Sequence, residues 1–136
     1  MEKQEQSGKI EDAEVTQVRY VREIGLIATA LNGTVKIFDG FDFNLLWKSS
    51  NKSRKQIYHT NIVTFDVSTH IGLMATGGAE GKVLLIDPYA FGIVNQVQAH
   101  TCDILQLYIY EEQFQIITVG VDRTIIVWDA YKLEKI

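Results

Sequence analysis

The chain has 136 residues, 46% hydrophobic and 22% charged, with a single proline, which is enough apolar material for a buried core and excludes wholesale disorder. A formal charge of -4 argues against a general nucleic-acid binder, and one cysteine excludes an internal disulfide framework or a cysteine-rich zinc site. No apolar run nears the ~18 residues of a membrane span, and the polar start of the chain has no secretory core, so a cytoplasmic protein is expected.

Residues 1–12 are polar and charged, and are expected to be disordered. A strand follows over Val15–Val21. Next comes a hairpin over 26–39, whose Asn32-Gly33 is a strong signal for a type I′ turn because both residues tolerate positive φ. Another strand is expected over Leu45–Lys48. The stretch 48–55 carries Lys48, Lys52, Arg54 and Lys55, a local charge anomaly inside a basic linker over 48–57. The same series then recurs: a strand over 62–67, a hairpin over 74–87 turning at Glu80-Gly81, and a strand over 93–98. It recurs again as Ile104–Tyr110 and a hairpin over 116–129 turning at Asp122-Arg123, with a weaker last candidate at 132–136. Each hairpin closes on an aspartate, at Asp39, Asp87 and Asp129, a period of about 45 residues.

Such a unit cannot cover its own faces. The runs 83–86 and 125–128 are continuously apolar rather than alternating, so both are expected to be covered on both faces. The connections are too short for crossover helices, and small antiparallel sheets stacked around an axis meet the requirement.

Trp128-Asp129 at the end of the third hairpin, with Ala99-His100 just before the strand that opens that unit, resembles the WD40-repeat family. The likeness covers about residues 13–136. At finer resolution, the run 87–129 resembles the large WD40 proteins of cilia and flagella. The resemblance implies an all-β partial propeller of three four-stranded blades, about 13–50, 58–99 and 100–136, too few to close a ring alone. It also implies a buried network of His100, Thr118, Asp122 and Trp128 in the third unit, and a partial one of His59, Thr76 and Glu80 in the second. The chemistry is sound in itself, because an imidazole can bridge a carboxylate and a hydroxyl, and a buried indole N–H needs an acceptor.

Other readings of the same residues are weaker. Asp122, His100 and Thr118 mimic an acid–base–nucleophile triad, but the repeat packs Thr118 inside a blade, away from any cleft. Cys102 reads as an ordinary loop or strand-start thiol. His59 and His100 occupy equivalent places in different units, His70 lies in a separate turn, and Asp39-Gly40-Phe41-Asp42 offers a phenyl ring where calcium needs oxygen, so no metal site and no cofactor is expected. The glycines at 77, 78 and 81 precede a strand, not the helix a phosphate loop requires.

The expected function is a non-catalytic scaffold that grips a protein or peptide through rim loops. Tyr58, Glu80, Asp103 and Arg123 are the candidate contacts, since Tyr and Arg anchor interfaces. The alternatives are a nucleic-acid or phospho-dependent adaptor using 48–55 and, last, a propeller enzyme. Three blades leave apolar end faces, so a fragment or short isoform completed by further blades, or self-association, is also expected.

Overall fold

The computed structural model describes residues 14–30, 33–49 and 61–136. The 1–12 segment, Asn32, Tyr58, His59 and most of the basic linker lie outside the described residues. Valine, isoleucine and threonine dominate the short runs between polar turns, and such residues fit a pleated, half-buried surface. They form β1 (Val15–Val21), β2 (Gly25–Ala30), β3 (Val35–Phe38) and β4 (Leu45–Lys48), an antiparallel sheet in chain order. A second four-stranded sheet contains β5 (Ile62–Ser68), β6 (Leu73–Gly78), β7 (Lys82–Asp87) and β8 (Gly92–Gln98). The third contains β9 (Ile104–Tyr110), β10 (Gln115–Gly120) and β11 (Ile125–Asp129). Its fourth strand is reduced to a bridge from Lys135 to Trp128, flanked by Asp129 N–H to Glu134 O at 2.8 Å and Ile136 N–H to Val127 O at 2.9 Å.

The closing aspartates explain how each third strand turns toward the fourth. Asp39 Oδ1 accepts the backbone N–H groups of Phe41 and Asp42, Asp87 Oδ1 those of Tyr89 and Ala90, and Asp129 Oδ1 those of Tyr131 and Lys132, all between 2.7 and 3.1 Å. Four residues after each aspartate stands a side chain in the left-handed region: Phe43 at φ 61°, Phe91 at 62° and Leu133 at 58°. A short carboxylate that binds its own downstream backbone mimics a turn, which is why Asp recurs there.

The first hairpin differs from the two-residue type I′ turn expected at Asn32-Gly33. Ala30 and Thr34 are joined by Ala30 N–H to Thr34 O at 3.0 Å, so three residues lie in the loop, with Gly33 at φ 84°. The third hairpin has the same form, with Gly120 N–H to Thr124 O at 2.9 Å and Arg123 at φ 74° where the first has glycine. Three-residue loops ending in a left-handed residue are a common alternative to type I′.

The sheets stack first on second and second on third, with β1, β5 and β9 adjacent. Ile27, Val35, Ile37, Ile62, Phe65, Met74 and Ile86 fill the first seam. Ala75, Val83, Leu85, Ile104, Leu107, Ile109, Ile116 and Trp128 are among those filling the second. Asp66 ties all three sheets: Oδ1 accepts Arg19 Nη1 at 2.9 Å from β1, and Oδ2 accepts the Ile109 N–H at 2.8 Å from β9.

The two continuously apolar runs part company here. Residues 83–86 are buried throughout, because β7 lies in the middle sheet with a neighbour on each side. Ile125 is 67% exposed and Val127 only partly covered, because among the described residues no sheet packs on the far face of the third sheet, whereas Ile126 turns the other way, onto the second seam. No helix among the described residues is long and apolar enough to cross a membrane.

Candidate functional site: the polar seam and the rim between the second and third sheets

His100 sits where the chain leaves β8 for β9, and its backbone is pinned before its ring is placed. Gly81 O accepts both Ala99 N–H at 2.8 Å and His100 N–H at 3.1 Å, and Gln98 Nε2 donates to His100 O at 2.8 Å and also to Glu80 O. This close approach explains Gly81. Its φ is 79°, and a Cβ there would lie 2.0 Å from His100 O.

The imidazole then enters the third sheet. Nε2 lies 2.8 Å from Thr118 Oγ1, and Trp128 Nε1 donates to the same oxygen at 2.9 Å. Nδ1 lies 3.0 Å from Thr124 Oγ1, which donates to Asp122 Oδ1 at 2.6 Å. Both ends fix the proton positions. An indole N–H can only donate and a carboxylate can only accept. The Thr124 proton therefore goes to Asp122, leaving its oxygen to accept His100 Nδ1–H, and Nε2 accepts the Thr118 hydroxyl proton. Every hydrogen bond runs in one direction, from Trp128 through Thr118, His100 and Thr124 to Asp122.

Sequence reading brought four of these five residues together and missed Thr124, which stands between the imidazole and the carboxylate that were expected to touch. A hydroxyl two residues after Asp122 was the available signal, because Ser and Thr beside an Asp turn commonly bond it. Burial holds His100 below its ordinary value of 6.5, with the Asp122 charge opposing and Lys135 reinforcing that shift. Asp122 is held below its ordinary 3.8, first by the Thr124 hydroxyl and backbone N–H.

Thr118 is fully buried, so no substrate reaches its hydroxyl. Thr76 occupies the equivalent place in β6, also buried, opposite Leu84 as Thr118 is opposite Ile126. Its expected partner His59 lies outside the described residues. The Glu80 side chain is exposed at φ 65°, and its N–H donates to Asp103 Oδ1 at 3.0 Å. In the first sheet Ala28 fills the corresponding place, opposite Lys36.

Asp103 thus accepts from the hairpin of the second sheet with its side chain, and its carbonyl accepts Val121 N–H at 3.0 Å from the hairpin of the third. Glu80, Asp103 and the exposed Arg123 therefore lie along one edge, on loops joined to each other. Of the basic stretch, Lys48 is exposed at the end of β4, and the other cations lie outside the described residues.

Cys102, read from the sequence as ordinary, faces the same polar chain. Its Sγ, one nitrogen of His100 and a carboxylate oxygen of Asp122 lie within 4.8 Å of one another. The far face of the third sheet carries a groove of about 300 Å³ lined by Gln106, Leu107, Tyr108, Ile117 and Val119.

Three stacked antiparallel sheets with a Trp-Thr-His chain at a seam can be compared with known folds. The WD40 repeats of RRP9 superpose with a TM-score of 0.83 at 12% identity, covering 94% of this chain and 39% of that one. The chain has the WD40 β-propeller fold. U3-55K gives a TM-score of 0.82 at 11% identity, covering 94% and 39%. The β-propeller domain of Myceliophteria thermophila Cps50 (Swd1) gives 0.77 at 17% identity, covering 96% and 40%. No protein-family model matches the sequence. The chain spans about two fifths of the length of these propellers, so its sheets are three blades of an unclosed ring.

Proposed function

We propose that this chain is a non-catalytic protein-interaction scaffold whose three blades belong to a larger propeller, as a fragment or short isoform, and that it binds a protein or peptide along the rim of the second and third blades. The observation that carries this reading is the Asp103 staple. Two adjacent hairpin loops are joined by hydrogen bonds to one residue, so Glu80 and Arg123 are presented on a frame that is ordered before a partner arrives. Loops held on a rigid scaffold are where recognition residues concentrate, and preorganisation lowers the entropic cost of association. Tyr58, outside the described residues, is the further contact expected from the sequence. The groove under Tyr108 on the third blade is the surface that a further blade covers.

The test is affinity capture by the intact parent protein, comparing wild type with Arg123→Ala and Tyr58→Ala. Loss of the same captured proteins in both variants, with unfolding midpoints unchanged, supports the rim reading. Unchanged recovery rejects it.

A further inference from the structure

Gly120 ends β10 beneath the polar chain and leaves a hollow that three potential metal ligands share. A Cβ built there would lie 2.8 Å from His100 Nδ1, 2.8 Å from Asp122 Oδ1 and 3.1 Å from Cys102 Sγ. Glycine therefore keeps a side chain out of the space beside an imidazole nitrogen, a carboxylate oxygen and a thiol, which lie within 4.8 Å of one another on two loops of a single blade. We infer that His100, Cys102 and Asp122 form a binding site for a divalent, thiophilic cation of the zinc type, with Gly120 as its floor.

The donor set selects the ion. Calcium and magnesium take oxygen ligands, whereas thiolate, imidazole and carboxylate together suit zinc. Zinc bonds run from about 2.0 to 2.3 Å, so the three ligand atoms, now within 4.8 Å of one another, must draw together around an ion held on the side of the cluster away from the Gly120 backbone. Asp122 is exposed and Cys102 half-buried, so both can make that movement, while His100 is 5% exposed and already fixed. Three protein ligands leave a fourth position for water.

The ring also has the support that a ligating histidine needs. Metal-bound imidazole donates its second N–H to a neighbouring acceptor. With Nδ1 on the ion, the proton moves to Nε2 and is donated to Thr118 Oγ1 at 2.8 Å, while the Thr118 hydroxyl turns toward Ile126 O at 3.5 Å. The Thr124 hydroxyl, which holds both His100 and Asp122 in the metal-free chain, is displaced. The proton balance is closed: the histidine proton changes nitrogen, and the Cys102 thiol gives one proton to solvent per ion bound. Lys135, an exposed cation near His100, opposes the charge of the ion.

The experiment is titration of the full chain with cobalt(II), and then zinc(II), at neutral pH under a non-thiol reductant. A thiolate-to-cobalt charge-transfer band should appear and saturate at one ion per chain with release of about one proton, and zinc should then displace cobalt with no further proton release. Cys102→Ser should abolish the band and weaken zinc binding by roughly tenfold or more, with unchanged circular dichroism. Asp122→Asn should retain the band with weaker affinity. Absence of the band in wild type overturns the inference, as does zinc affinity in Cys102→Ser equal to wild type.

Discussion

The seam between the first and second blades is closed by Ile27, Ile37, Phe65, Met74 and Ile86, whereas the seam between the second and third adds a chain of polar groups, buried from Trp128 to His100 and exposed at Thr124 and Asp122, beside its apolar core. Apart from the Arg19–Asp66 pair and the Phe65 N–H bond to Gln17 Oε1 at its edge, the first rests on shape and volume, so its strength scales with area removed from water. The second is directional. Its donor at Trp128 and acceptor at Asp122 fix every proton between them, so one register satisfies the chain and a slip of one residue strands its members. Apolar contact supplies most of the cohesion at both seams, and the polar chain adds specificity at one.

The largest effect should come from the apolar seam. Phe65 is 2% exposed beneath the Arg19 guanidinium, so Phe65→Ala should cost about 3–5 kcal/mol, read from the denaturant midpoint. Thr118→Val keeps the side-chain shape but leaves Trp128 Nε1 and His100 Nε2 without their shared oxygen, at about 1–3 kcal/mol each. The double variant Thr118→Val/Trp128→Phe discriminates. If the hydrogen bond matters, its loss is counted once, and the double variant falls short of the sum of the singles by about 0.5–3 kcal/mol. Strict additivity would show that the chain is only a packing arrangement.

Acid separates the seams next. Because His100 binds its proton less readily folded than unfolded, the unfolded state takes up more protons as pH falls through 6.5. The stability it contributes is therefore present above 6.5 and lost below it. The carboxylates of Asp39, Asp122 and Asp129 are also held below 3.8, so their contribution is present above 3.8 and is lost on further acidification. Two-step loss is expected, and the Trp128 indole N–H resonance should change in the first step while backbone signals of β2 and β3 do not. A midpoint that rises on acidification below 6.5 would contradict a neutral His100.

The repeat was legible because its markers are local: a closing Asp, a turn and two β-branched runs can be read without knowing what packs on them. The sheets over 15–48 and 62–98 therefore follow the sequence reading closely. What escaped depends on neighbours. Ile125 and Leu85 sit in equally apolar runs, yet one is exposed and the other buried, because only the second has a blade on each side. Thr124 escaped because its hydroxyl matters through distance to His100, 24 residues earlier. Cys102 escaped for a similar reason: its proximity to Asp122 arises only when the 121–123 loop folds back over β9.

The smallest predicted effect contrasts two equivalent turns. Gly33 N–H donates to Ala30 O and Arg123 N–H to Gly120 O, both at 3.0 Å, with φ of 84° and 74°. A left-handed residue with a Cβ costs roughly 1–2 kcal/mol, offset in part because glycine loses more chain entropy on folding. Gly33→Ala should therefore destabilise the first blade, and Arg123→Gly should stabilise the third, each by about 0.5–1 kcal/mol in thermal or denaturant unfolding. The same Arg123→Gly chain tests why a strained arginine is there. If its side chain serves the rim, the variant gains stability while losing captured protein. A gain in stability with capture intact would mean that the strain at 123 serves no partner on this edge.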